Sequence, residues 1–246
     1  MKSKGMKALW IGLMLVPGLS AYAEEPQGIH AEVTPYLWMA NLDGDMSLKG
    51  YDVDLDSQDM EIGGSLLATA QYKRFVLGWQ MEYFQPSLDD IELGDSGARG
   101  NFDSELLLTQ LAVGYQFDGW REGQHITVAA GVRNLHLRSD LDVIDGETLE
   151  QKTNSTDPLL IVWPTFPLFP KNVDGLSLSP AFSIGGGGDS ELIFELFPQL
   201  RYEITSHIHV RFGYRTAGYK LKNAADVENN LDVKLAGFIF GFGGSF

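Results

Sequence analysis

The sequence contains no cysteine. That excludes disulfides, thiolate chemistry and a lipid anchor attached through a leading cysteine. It suits a chain that crosses an oxidising compartment unfolded. Long apolar runs are missing too. After residue 23, charges recur often enough that no stretch reaches the roughly 18 residues a spanning helix needs. Basic residues are scarce: 18 Lys and Arg stand against 33 Asp and Glu, a formal net charge of −15. Such a surface repels phosphates, which excludes nucleic acid as a partner. It is compatible with acidic loops that meet cations, or with plain solubility charge.

What is present begins with an export signal. Lys2, Lys4 and Lys7 form a positive segment, Ala8 to Leu19 an apolar one, and Ala21-Tyr22-Ala23 a small-residue cleavage site. Residues 1–23 therefore read as a cleaved signal peptide, and 24–246 as one domain. Removing the three leader lysines makes the chain still more acidic.

The hydrophobic period of that domain is two rather than 3.6. The final stretch, LDVKLAGFIFGFGGSF, places Phe238, Phe240, Phe242 and Phe246 on one face. Leu235, Gly237, Ile239, Gly241, Gly243 and Ser245 take the other. A soluble strand hides its large residues and shows polar ones to water. An aromatic face opposed to a small one suits a strand with lipid on one side and a crowded barrel interior on the other. The terminal Phe246 resembles the C-terminal sorting signal that the assembly machinery of bacterial outer-membrane barrels reads.

Ten strands follow from the pattern, at about 29–40, 60–72, 75–85, 104–117, 125–138, 158–170, 175–185, 191–205, 207–221 and the closing stretch. The segment 158–170 carries four prolines, so it reads either as an irregular strand or as an apolar segment on the rim. Long links are expected at 41–59, 87–103, 139–157 and 222–231. Short ones are expected at 73–74, 118–123, 170–174 and 205–206. This alternation is that of an outer-membrane barrel, with both termini in the periplasm. The glycine run 185–188 falls where an outer loop is due, and eight strands is the alternative count. A β-sandwich would also alternate. Here, however, Tyr72, Phe75, Tyr115, Phe117, Tyr202 and Phe246 all lie beside short links, as an aromatic girdle does. The fold expected is all-β: a closed antiparallel transmembrane barrel in the cell outer membrane.

The stretches TPYLWMANLDGD (34–45), IGGGGDSELIFELFPQLRYEI (184–204), FGYR (212–215) and GFIFGFGGSF resemble a family of small proteobacterial outer-membrane β-barrel proteins. The fold is also similar to the wider group that includes the outer-membrane protein A transmembrane domain. Segment 158–170 departs from the family by lacking a glycine-rich hairpin. The resemblance implies architecture and brings no catalytic residues.

Three places could carry chemistry. With the apolar parity facing lipid, Glu32, Glu61, Glu82, Glu195, Glu203, Arg74, Arg133, Arg201, Arg211 and Arg215 point inward. Unpaired charges in a narrow lumen are costly, so these residues should pair, either as a plug or as a charge-lined ion path. The first outer link holds Asp52, Asp54 and Asp56, possible contacts for hard cations. It fails the calcium-loop pattern, because Ser57 stands where glycine is needed and Gly63 where glutamate is. Its alternation with Val53 and Leu55 reads better as a strand rising above the membrane. Finally, His136 lies near an outer rim. Ser139 has the opposite parity, so the two point apart and a Ser–His enzyme is disfavoured. His136 and Arg138 read instead as contacts for lipopolysaccharide head groups.

The expected function is a structural or small-pore barrel with a Glu/Arg-filled lumen. The alternatives are a surface-loop adhesin or ligand- and cation-binding barrel, and an outer-leaflet lipid-modifying enzyme. The expected partners are outer-membrane lipid, lipopolysaccharide, the barrel assembly machinery and periplasmic chaperones. No cofactor or metal is expected, and the barrel should be a monomer.

Overall fold

The computed structural model describes residues 28–48, 51–55, 61–93, 98–144, 146–168, 175–221 and 231–246. The expected leader lies outside them.

Among the described residues the chain forms strands and turns only. The strands are β1 (Ile29–Leu48), β2 (Tyr51–Asp54), β3 (Glu61–Tyr72), β4 (Phe75–Phe84), β5 (Ser87–Leu93), β6 (Ala98–Asp118) and β7 (His125–Val143). They continue with β8 (Thr148–Pro167), β9 (Leu176–Leu178), β10 (Ala181–Gly185), β11 (Ser190–Phe197), β12 (Gln199–Glu203), β13 (Ile208–Leu221) and β14 (Leu231–Ser245). Four successive pairs act as single wall strands: β2 with β3, β4 with β5, β9 with β10, and β11 with β12. Three of the breaks fall at Pro86, Pro180 and Pro198, which have no N–H to give a ladder.

The wall therefore has ten strands. Neighbours are antiparallel, and β14 pairs with both β13 and β1, which closes the ring. The proline-rich segment is regular wall, since β8 runs through it to Pro167 in register with β7. The glycine run supplies the tight β10–β11 connection, with Gly186 and Gly187 at positive φ. The Lys73-Arg74 turn is equally tight, and Lys73 takes the left-handed conformation there (φ 54°).

Large apolar side chains form an exposed belt around this ring. On β4 they are Phe75, Leu77, Trp79, Met81 and Tyr83; on β14, Phe238, Phe240, Phe242 and the following Phe246. Residues 75–83 and 238–246 each match the ~9–11 residues with which a tilted strand crosses a bilayer core. At the short-turn end Phe75, Tyr115 and Phe117 stack edge to face, with ring centres 5.5 and 4.9 Å apart. The barrel is thus a transmembrane one.

Three of the expected long links, 41–59, 87–103 and 139–157, are strand over most of their described length; 222–230 lies outside the described residues. β1 continues to Leu48, β7 to Val143 and β8 starts at Thr148, so the sheet itself rises beyond the belt. Facial polarity inverts where it does so. Within the belt β7 turns Val128 and Val132 outward and Arg133 inward. Above it Leu135, Leu137 and Leu141 are buried inside, while Arg138 and Asp142 face out. β1, β6 and β14 switch in the same sense, burying Leu42, Phe102 and Leu231. Lipid and water make opposite demands on the same wall, and each strand answers both.

Candidate functional site

The lumen is filled in layers, because lumen-facing positions recur every second residue on each strand. At the short-turn end a cavity of about 190 Å³ opens below Arg201 and Arg211. Its wall includes His30, Glu32, Thr69, Gln71, Gln116, His125, Thr127, Thr165 and Ser179.

Glu32 on β1 forms the roof of this vestibule. Its carboxylate accepts from Arg201 Nη2 at 2.5 Å and Arg211 Nη2 at 2.9 Å. Beside it His209, on β13, reaches across β14 to Thr34 on β1 (2.9 Å). The intervening strand leaves room for this contact. A Cβ at Gly243 would strike both His209 and Thr34, and one at Gly241 would strike the Tyr36 ring. The small parity of the closing strand is thus filled by its neighbours' side chains.

One layer higher lies a fully buried quartet. Arg215 pairs with Glu82 and, at 2.9 Å, with Glu195. Arg133 Nη2 donates to Glu195 at 2.5 Å, and its Nε donates to Gln110 at 2.9 Å. Arg133 Nη1 also reaches the Tyr219 hydroxyl at 3.0 Å. Trp38 and Phe197 offer ring faces to Arg215, 4.5 and 5.8 Å from the guanidinium carbon. Two cations and two anions balance, and nearly every charged atom has a partner. Those are the conditions under which a buried ion network is tolerated.

At and above the quartet the lumen-facing side chains become mainly apolar, with buried Ser104, Ser139 and the hydrogen-bonded Ser155, Asp157 and Ser190 among them. Leu42, Met46, Leu55, Phe84, Phe102, Leu135, Leu137, Leu231 and Leu235 surround a residual void of about 30 Å³. A dry void of that kind does not hold water, having almost no polar partner to offer it.

Of the inward charges expected from sequence, Glu32, Glu82, Glu195, Arg133, Arg201, Arg211 and Arg215 share these two layers. Glu203 does not. It is half exposed at the rim and touches Arg201 at 3.4 Å, because β12 ends there. Arg74 also stays at the rim, held by Asp118 across the turn (2.6 Å). The Glu61 and Asp52 side chains and all of Asp56 lie outside the described residues. Asp54 faces outward on β2, opposite Asp45. His136 and Arg138 are on the outer surface of β7. The His136 imidazole bonds Asn154 (2.5 Å), and Arg138 lies 3.3 Å from Glu150. Ser139 is buried inside, 3.5 Å from Ser104, on the opposite face from His136.

Charge alone could not find Trp38, Tyr36, Tyr219, Gln110 or His209. The signal was parity, since Tyr36 and Trp38 share the face of Glu32.

No protein-family model matches the chain, and no curated protein matches it. Several solved structures are similar in fold. A major outer membrane protein from Thermus thermophilus has 13% identity and a TM-score of 0.47, over 89% of this chain and 100% of that one. Neisserial surface protein A has 13% identity and a TM-score of 0.39, over 89% and 100%. The attachment invasion locus protein of Yersinia pestis has 10% identity and a TM-score of 0.38, over 88% and 99%. All three are outer-membrane β-barrels.

Proposed function

We propose that this chain is exported to the outer membrane and serves there as a structural barrel whose lumen is stoppered rather than conducting. The observation that carries this reading is the stack of two unlike layers. A balanced Arg/Glu quartet is followed immediately by an apolar layer, and an ion that displaced one would face the other. The short-turn rim, with its aromatic girdle and Phe246, faces the periplasm, and the tall rim faces outward. Assembly would use the barrel machinery that reads the terminal Phe, with periplasmic chaperones holding the unfolded chain. The barrel works as a monomer and performs no chemistry on a substrate.

Planar-bilayer recording of the refolded mature protein tests the reading. Silence from a barrel shown to be folded by its gel shift on boiling is expected. Discrete cation-selective openings would overturn it and make the quartet a selectivity ring.

A second reading, contact with lipopolysaccharide head groups, rests on the outer face of the raised wall. Arg138, Lys152 and His136 stand there on adjacent strands just above the belt, with Glu150 paired to both cations. Reversing both charges (R138E with K152E) should weaken lipopolysaccharide co-purification while leaving the gel shift intact.

A further inference from the structure

The two charged layers differ in one respect. The upper quartet is electrically balanced and closed. In the lower layer a single partly buried carboxylate, Glu32, is shared by two guanidinium groups. The only other described acid on this pair, Glu203, is half exposed at the rim, where solvent screens it. Arg211 is almost wholly buried, and among the described residues the Nε–H groups of both Arg201 and Arg211 have no hydrogen-bond partner. Both arginines line the 190 Å³ vestibule, whose remaining wall offers amide and hydroxyl groups from Gln71, Gln116 and Thr165. On the measure in which one water needs about 10–15 Å³, this space holds on the order of ten waters or a small organic ion.

We infer that this vestibule is a binding site for a small oxyanion, a phosphate or carboxylate group on a periplasmic solute. The planar donor forks of Arg201 and Arg211 suit such a group, and their charge is only partly spent on Glu32. The neutral donors across the cavity would hold the rest of the solute. Entry and exit are through the short-turn rim. The site needs no conduction, so it stands apart from the question of whether the barrel leaks.

The test is calorimetric titration of the folded mature barrel with inorganic phosphate, and separately with acetate, at matched ionic strength. Saturable uptake of either anion is expected, and the stronger probe identifies the group. Substituting Arg201→Gln should weaken it about tenfold or more, the scale of one lost charge-assisted pair. K234Q, on the exposed face of β14, should change nothing. Q116Y fills the cavity from β6, opposite β13 in the ring, and leaves every Arg–Glu pair in place. It should abolish uptake with an unaltered gel shift, and it keeps the test valid if R201Q fails to fold. Absence of saturable uptake of both anions, or equal uptake by wild type and Q116Y, overturns the inference.

Discussion

The guanidinium carbon of Arg215 lies 4.5 Å from the centre of the Trp38 ring, deep in the lumen and away from water. A cation over an indole face, with carboxylates at its edge, is held in place on two sides. The pair joins β13 to β1 across the closing strand and fixes the height at which the charged filling gives way to apolar filling.

Removing that cation should be costly. In R215L the carboxylates of Glu82 and Glu195 lose their shared partner, and one buried charge is left uncompensated. A destabilisation of about 3–5 kcal/mol is expected from breaking a buried pair on one side. Urea titration of the refolded barrel reads it. The double variant R215L/E82Q should recover part of the loss, because it restores the balance of charge.

The closing strand should tolerate side chains on one face only. Gly243→Ala drives a methyl into His209 and Thr34 and should cost ~1–3 kcal/mol. Gly244→Ala, on the lipid-facing side of the same strand, first meets the tip of the terminal Phe246 ring at 3.3 Å and should be near neutral. The same urea titration separates the two.

The outer half of the lumen should behave as a soluble protein core. Phe102→Ala opens a cavity among Leu residues and should cost about 3–5 kcal/mol. Phe240→Ala, on the lipid face of β14, should cost clearly less, because lipid tails fill the space it leaves. If the two losses are equal, the outer layer is not close-packed.

His136→Ala should leave both the fold and the lipid A of expressing cells unchanged. Its described polar contact is with Asn154, and Ser139 points the other way. Mass spectrometry of extracted lipid A checks this, and altered acylation would revive the enzyme reading.

The architecture was legible because lipid leaves a strong mark on a strand. The four phenylalanines of the closing stretch, the Lys73-Arg74 turn and the aromatic residues beside short links located the wall and its lower edge. The outer wall was harder to see. Stretches such as NLDGDMSL and LRSDLDV are acidic, and acidity suggests loops. Yet Leu42 and Met46, or Leu137 and Leu141, keep the period of two with the opposite face apolar. A search for one constant apolar face ends at Val132, whereas the strand does not. Inward charges could be identified by parity, but their pairing could not. Arg133 and Glu195 lie 62 positions apart, and only the closed ring brings them to 2.5 Å. Glu203 has the right parity but sits too low, which depends on strand stagger rather than on pattern.

The apolar layer above the quartet also gives the barrel a direction. A tube with one end stoppered is a cup, and this one opens downward. On the reading proposed above, whatever enters the vestibule would leave by the same mouth, and its occupancy would follow the periplasmic concentration alone. Such a cup would sample one side of the membrane and carry nothing across it.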